Sequence, residues 1–266
     1  MDKKIILQKY KSEDEKLIIS KLFDKIEALE KTNKIQITDF LTPVEGELLN
    51  KVLKHIEFSQ YKIYGGVDSS ERNIIILFPS KIEEIIMQNK FDYNSICSCV
   101  RINDIDSNIE HKDILGGLMK LGIKREKIGD IMVYENYVDI IVCKEITKFL
   151  LANLNQLKRF KDADIQIVDI AECKGKKQKF EDINIIVSSL RLDNIVAELA
   201  KTSRSKASEI LNQERVFINY ENEIKNTKMV KKDDVVTIRG KGKFIIDEIV
   251  GNTRSGRFIV KVKKYV

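Results

Sequence analysis

The sequence predicts an α+β protein, and three observations predict it. Residues 12–31 carry apolar residues at helical spacing, and a capping box at 42–45 starts a further helix. Residues 96–170 then alternate short β-branched runs with helical ones in the order β-α-β-β-α-β. In the last third, two short amphipathic helices are followed by strands rather than by further helices.

The first segment, residues 1–80, reads as a helix-rich domain. A helix near 12–31 is expected because Leu17, Ile18, Leu22, Ile26 and Leu29 share one side. Thr42 caps a second helix, Pro43 is preset at its first position, and Glu45 completes a capping box. Arg72 to Phe78 reads as a buried strand ended by Pro79. Gly65-Gly66 marks a turn before it, too short to cradle a nucleotide.

The second segment, 81–171, opens with a short helix (81–87). Strands are expected at 96–102, 128–133, 138–143 and 165–170, and helices at 111–121 and 146–157, with Glu135-Asn136 as a tight hairpin turn. This order is the ferredoxin-like, RRM-like plan of many RNA-binding modules. An RRM stacks bases on aromatics of its central strands. The strands here offer Cys97, Cys99, Val138, Ile140 and Val142 with no aromatic pair, so RNA contact is expected through loops or not at all. The loop cations Lys124, Arg125 and Lys127 are the candidates. His111 and Asp113 open the helix as capping or surface residues, with no nucleophile placed beside them. Gly116-Gly117 suits close helix packing and lacks the order of a phosphate-binding loop.

Residues 172–182 read as a basic linker, and 183–266 as a third domain. Leu192, Ile195, Val196 and Leu199 line one helix face; Ala207, Ile210 and Leu211 line the next, which Ser203 caps. Lys201, Arg204 and Lys206 crowd the start of that second helix, where the macrodipole disfavours cations. Exposed N–H groups with added cations suit phosphate, so the pattern points to nucleic acid, and to structured RNA in particular. From Lys174 onward there are 21 Lys and Arg against 12 Asp and Glu, a net +9, whereas the preceding residues have 26 against 29, a net −3. A polyanion reader joined to a near-neutral body has that asymmetry. Near the end, Arg254, Arg257, Lys261, Lys263 and Lys264 alternate with Phe258, Val260 and Val262, which predicts a half-buried strand with a basic outer edge.

The four cysteines, Cys97, Cys99, Cys143 and Cys173, form no Cys-x-x-Cys pair and lie far from His55 and His111, so reduced thiols are expected and a zinc site is not. No run approaches the ~18 apolar residues of a membrane span, and no apolar leader opens the chain, so a cytoplasmic protein is expected.

The motifs then carry a resemblance. Arg191-Leu192-Asp193, Ser203-Arg204-Ser205-Lys206-Ala207, Val216-Phe217-Ile218-Asn219, the Asp233-Asp234 turn and Arg239-Gly240-Lys241-Gly242 together resemble the S-four (alpha-L) RNA-binding domain. Glu214 and Tyr220 stand where many members have Gly. The front of the chain resembles YlmH-type proteins through Phe40-Leu41-Thr42-Pro43, Gly65-Gly66, Glu71-Arg72, Phe78-Pro79 and, most specifically, the run from His111 to Asp130. Lys112 and Ile114 stand there where Arg and Phe are common.

The resemblance implies a bacterial, noncatalytic, cytoplasmic factor that binds ribosomal RNA on the large ribosomal subunit. It further implies a role in ribosome-associated quality control with peptidyl-tRNA and a link to cell division; a monomer without cofactor is also expected. The candidate RNA-binding residues are Arg191, Lys201, Ser203, Arg204, Lys206, Arg215, Lys241 and Lys243, with Lys124, Arg125 and Lys127. Two other readings stay open: an RNA-modifying enzyme targeted by an S-four domain, and a division adaptor that does not use RNA. Pseudouridine synthases carry a catalytic Asp in a tripeptide like Arg191-Leu192-Asp193, but here an amphipathic helix continues from it, and Asp193 is expected to orient Arg191 or Arg204.

Overall fold

The computed structural model describes residues 3–68, 70–105, 108–175 and 180–265. They form two compact units, Met1–Lys176 and Lys177–Val266, and mix helices and sheets as an α+β chain should.

The first unit begins with α1 (Lys3–Leu7) and α2 (Glu13–Thr32). The buried stripe of α2 is Ile19, Leu22, Ile26 and Leu29; Leu17, expected on that side, is 58% exposed. The error is one of phase, because Leu17 lies two residues before Ile19 and so on another side of the helix. β1 (Gln36–Ile37) follows, then α3 (Pro43–His55), β2 (Tyr61–Tyr64), β3 (Ile74–Leu77) and α4 (Glu83–Met87). Thr42 accepts from the Glu45 N–H while the Glu45 side chain accepts from the Thr42 N–H, which is the expected capping box. The strands order β1-β3-β2, and β3 is buried along its whole length because it is covered on both faces.

β4 (Cys97–Asn103), α5 (His111–Lys120), β5 (Ile128–Val133), β6 (Tyr137–Cys143), α6 (Thr147–Asn153) and β7 (Ile165–Val168) build the second sheet, antiparallel in the order β5-β6-β4-β7. One face packs Val100, Ile102, Val138, Ile140 and Val142 against Ile114 and Leu118 of α5 and Leu150 of α6. Gly117 allows Leu157 to pack close there, since a Cβ would stand 2.9 Å from Leu157 Cδ1. The other face, with Cys97, Cys99, Met132 and Ile141, shares a core with Phe40, Ile74, Ile76 and Phe78 from the N-terminal segment.

The second unit holds β8 (Phe180–Val187), α7 (Leu192–Leu199), α8 (Arg204–Asn212), β9 (Val216–Ile218), β10 (Glu221–Asn222), β11 (Val235–Ile238), β12 (Gly242–Asn252) and β13 (Phe258–Tyr265). The six strands order β10-β9-β11-β12-β13-β8, and α7 and α8 pack over one face around Leu192, Ile195, Val196, Ala207 and Leu211. Phe180–Asp182, read as the end of a linker, instead open β8 and pair with β13. The linker cations Lys176, Lys177 and Lys179 lie outside the described residues. β13 is not an edge either. It pairs with β12 on one side and β8 on the other, and Lys261, Lys263 and Lys264 bind Glu248, Asp247 and Glu181 on those neighbours at 3.0, 2.7 and 3.2 Å. Alternation reports a half-buried strand; it cannot report which strands lie beside it.

Candidate nucleic-acid interface

The strongest cationic arrangement in the second unit is built around one carboxylate. Asp193, in the first turn of α7, has a side chain only 6% exposed. Arg191, the residue at the N-cap of α7, donates from Nε and Nη2 to its two oxygens at 3.2 Å each. Arg204, the first residue of α8, donates from Nη2 to Oδ2 at 2.9 Å. Burial opposes the charged form of Asp193, but the hydrogen bonds and positive charge of the two arginines outweigh it and hold the carboxyl below its usual value. The guanidinium-bearing side chains remain 38% and 58% exposed. Asp193 therefore orients both arginines, as the sequence suggested for one or the other, and leaves donors turned to solvent.

The helix end beside them is assembled from local rules. Ser203 accepts from the Lys206 N–H at 3.3 Å and caps α8. Lys201, at φ 52°, closes α7 by a left-handed turn in which Thr202 N–H bonds the Ala197 carbonyl. Lys201, Arg204 and Lys206 are exposed around this turn. At the far end of α8, Glu214 takes φ 56°, and Asn219 and Tyr220 take 48° and 69°. Glu214 and Tyr220 hold these left-handed turns with side chains where Gly would adopt them freely, at a cost of about 1–2 kcal/mol each. Arg215 donates to the Arg239 carbonyl at 2.9 Å, and Arg239 N–H returns a bond to the Arg215 carbonyl at 2.9 Å. Arg215 is thus a brace between strands β9 and β11 as well as a surface cation. Lys241 is exposed in the β11–β12 turn, and Lys243 lies 4.9 Å from the Tyr220 ring centre and 4.5 Å from that of Tyr265.

In the first unit, the loop cations separate. Lys124 is exposed, but Arg125 turns inward and donates to the Ile128 and Gly129 carbonyls at 2.6 and 3.3 Å. Burial and the neighbouring Arg72 charge lower the Arg125 pKa to about 10. Lys127 binds Asp39 at 2.5 Å and Glu145 at 2.6 Å; burial disfavours its charge, yet the two carboxylates raise its pKa. Two of the three loop cations thus have structural partners that the local sequence does not disclose.

Residues 88–172 match the family model described as "Putative RNA-binding domain in YlmH". The chain is 28% identical over 251 residues to ribosome-associated protein quality control protein P2 of Bacillus subtilis, covering 94% of this chain and 95% of that protein. The chain is thus similar to YlmH-type RNA-binding proteins over nearly its whole length. A solved structure, cell division protein ylmH from Streptococcus pneumoniae, aligns with TM-score 0.48 and 20% identity over 61% of this chain and 96% of that one.

In the first unit, the structure joins stretches that lie far apart in the sequence. The Asp130 carboxylate accepts the backbone N–H groups of Glu71 and Arg72 at 2.8 and 3.1 Å. Arg72 donates to the carbonyls of Phe40 at 2.7 Å and Ile128 at 3.0 Å. Asp113 completes a capping box with Glu110 and pairs with Arg159 at 3.1 Å, so its partners suit the capping role expected of it.

An aromatic pair flanks the hairpin turn between β5 and β6, outside the middle of the strands, where none was expected and none lies. Tyr134 and Tyr137 stack with centroids 4.5 Å apart, and the Arg101 guanidinium lies 4.4 Å from the Tyr137 centroid while gripping Asp139 at 2.7 and 2.8 Å. The tyrosines flank the hairpin turn rather than occupying the middle of a strand, which is why a strand-centred search misses them. Val138, Ile140 and Val142 face the helices instead. The Tyr134 hydroxyl donates to the Lys174 carbonyl, which ties the pair into the fold. Behind it, donor atoms of Cys99, Asp139 and Cys173 lie within 4.8 Å of one another. These are the residues of the middle domain best placed to hold a metal. Arg101 already occupies both Asp139 oxygens, and a hydrogen bond with Cys173, together with burial, raises the Cys99 pKa, so the cluster is better satisfied as an ion pair beside two thiols.

Proposed function

We propose that this protein is a noncatalytic RNA-binding factor that docks on ribosomal RNA of the large subunit and acts on stalled peptidyl-tRNA complexes in the bacterial cytoplasm. The observation that carries the reading is the Arg191–Asp193–Arg204 arrangement. A carboxylate shielded from solvent spends its oxygens on two arginines, and those arginines keep exposed donors beside a capped helix N-terminus. Such a fork suits phosphate, which accepts two parallel N–H bonds. Asp193 itself is poorly placed as a general base, because its charge is already neutralised. In this reading α7, α8 and the following strands are an S-four module, and the β4–β7 sheet is a ferredoxin-like module. The quality-control name of the Bacillus subtilis relative, over nearly the whole length of both chains, supports the ribosomal assignment. Membrane attachment has no support from the helices: among the described residues, none is long and apolar enough to cross a bilayer.

The test is sedimentation of lysate through a gradient at moderate salt, with and without induced stalling. The protein, acting as a monomer, comigrates with large subunits and more strongly after stalling; deletion of residues 183–266 abolishes comigration. Protein confined to the top fractions under both conditions would exclude the ribosomal reading.

A further inference from the structure

The face of the C-terminal sheet opposite α7 and α8 carries a feature that the arginine site does not use. Phe217 of β9 stands across from Thr237 of β11, which stands across from Lys243 of β12. Lys243 lies 4.5 Å from the ring centre of Tyr265 on β13, and Tyr265 stands across from Phe180 of β8, edge to face at 5.0 Å. The five residues form one line across five strands. All point away from the core: Val216, Ile218, Val236, Ile238 and Phe244 are the buried alternates on β9, β11 and β12, and Val260, Val262, Ile185 and Val187 are buried at the opposite parity to Tyr265 and Phe180. Arg239, exposed, sits 4.8 Å from the Phe217 ring centre, and Tyr220 lies on the other side of Lys243 at 4.9 Å.

Four strand spacings of ~4.8 Å give this line a length of about 19 Å. Aromatic rings interleaved with cations, on a sheet whose parent unit is strongly basic, are what unpaired nucleotides require: rings take bases by stacking, cations take phosphates. A hydrophobic core contact explains none of it, because Phe180 is 39% exposed and lies on the face without helices. An apolar protein partner would be poorly served by a row that includes Lys243 and ends at Arg239. Duplex RNA, whose bases are already stacked, gains nothing from the rings.

We propose that this face is a second RNA surface, which binds a single-stranded segment by stacking its bases on Phe217, Tyr220, Tyr265 and Phe180. It rests on the RNA-binding reading above but uses different residues and a different RNA form. The two surfaces lie on one unit, so a structured RNA with an unpaired flank would engage both and gain avidity.

The test uses the full-length protein with two probes: a fluorescein-labelled 12-nucleotide oligouridylate and a blunt RNA duplex of the same length. Phe180→Ala with Tyr265→Ala weakens oligouridylate binding about 10-fold per ring and leaves duplex binding unchanged. Arg204→Ala has the converse bias, so failure of the arginine site and failure of this surface are distinguishable. A second measurement does not depend on how the double variant folds. The chain has no Trp, so Phe180→Trp introduces its sole indole. Oligouridylate quenches that fluorescence by stacking, and the duplex does not. Unchanged oligouridylate affinity in the double variant, or no quenching of the indole at saturating oligouridylate, overturns the proposal and leaves the face to a protein partner.

Discussion

Arg204 and Asp193 join the two helices of the C-terminal unit: Arg204 Nη2, at the start of α8, donates at 2.9 Å to the carboxylate in the first turn of α7. The bond fixes a guanidinium whose side chain remains 58% exposed. It separates two quantities that mutation can read independently, the cost to folding and the cost to RNA affinity. Arg204→Ala is expected to weaken binding to rRNA fragments by about 1–3 kcal/mol, the range for charge-assisted hydrogen bonds, with little change in Tm. Asp193→Ala is expected to lower both, because it leaves two arginines without their anchor. Parallel melting and filter-binding measurements check this; an equal loss of stability and affinity in Arg204→Ala would assign Arg204 to structure alone.

Asp193 also sets a pH signature. Its pKa is depressed in the folded protein, so its contribution to stability is fully present above the unfolded value of about 3.9 and is lost as pH falls through the folded value. The stability gap between wild type and Asp193→Asn should therefore stay constant from about pH 5 to 8 and shrink in acid. Denaturant titrations across that range measure it.

Binding to structured RNA should be steeply salt-dependent, given the +9 balance from Lys174 onward. With about five phosphate contacts, log K against log salt falls with a slope of roughly −3.5 to −4.5. The cross-strand pairing of Lys261, Lys263 and Lys264 with carboxylates sets them apart from the cations at the helix end, so their replacement by Gln should alter the slope less than loss of Lys201 and Lys206. A flat salt profile contradicts the electrostatic account.

Glu214→Gly should stabilise the C-terminal unit by about 0.5–1 kcal/mol. Glu214 holds φ 56° with an exposed side chain, so Gly relieves left-handed strain and gives back only part of that in unfolded-chain entropy. Glu214→Ala, which keeps the Cβ, should gain nothing. Thermal unfolding of the two variants compares them directly.

Arg125→Ala should lower Tm whether or not RNA is present, because it strips donors from the Ile128 and Gly129 carbonyls. Lys124→Ala, at an exposed position, should leave Tm unchanged.

The sequence disclosed what depends on near neighbours. The Thr42–Glu45 box, the Ser203 cap and the Glu135-Asn136 turn follow from residues a few positions apart, and each is present. The partnership of Asp193 with its arginines was legible for the same reason: Arg191 is two residues away and Arg204 lies one short helix beyond. What was not legible depends on distant chain. Lys127 finds Asp39 across 88 residues, and β13 finds β8 from the far end of its unit. Periodicity names a buried face and says nothing of the strand that comes to lie beside it. Strands buried on both faces lose alternation altogether, which is why the β6 sequence does not disclose that Val138, Ile140 and Val142 face the helices.

The seam between the β1–β3 and β4–β7 sheets also has a practical meaning. Gly129 lacks a Cβ that would stand 2.7 Å from Phe40 Cε1, and the Phe40 N–H bonds the Glu126 carbonyl at 2.8 Å, so the phenylalanine ring is effectively a component of the neighbouring sheet. The stretch recognised by sequence comparison, residues 88–172, omits Phe40, Ile74, Ile76 and Phe78. Expressed by itself it would present Cys97, Met132 and Ile141 to water as a bare apolar sheet, a surface prone to self-association. The unit of recognition and the unit of solubility therefore differ in this protein, and a truncation meant to isolate the middle domain must begin far upstream of it.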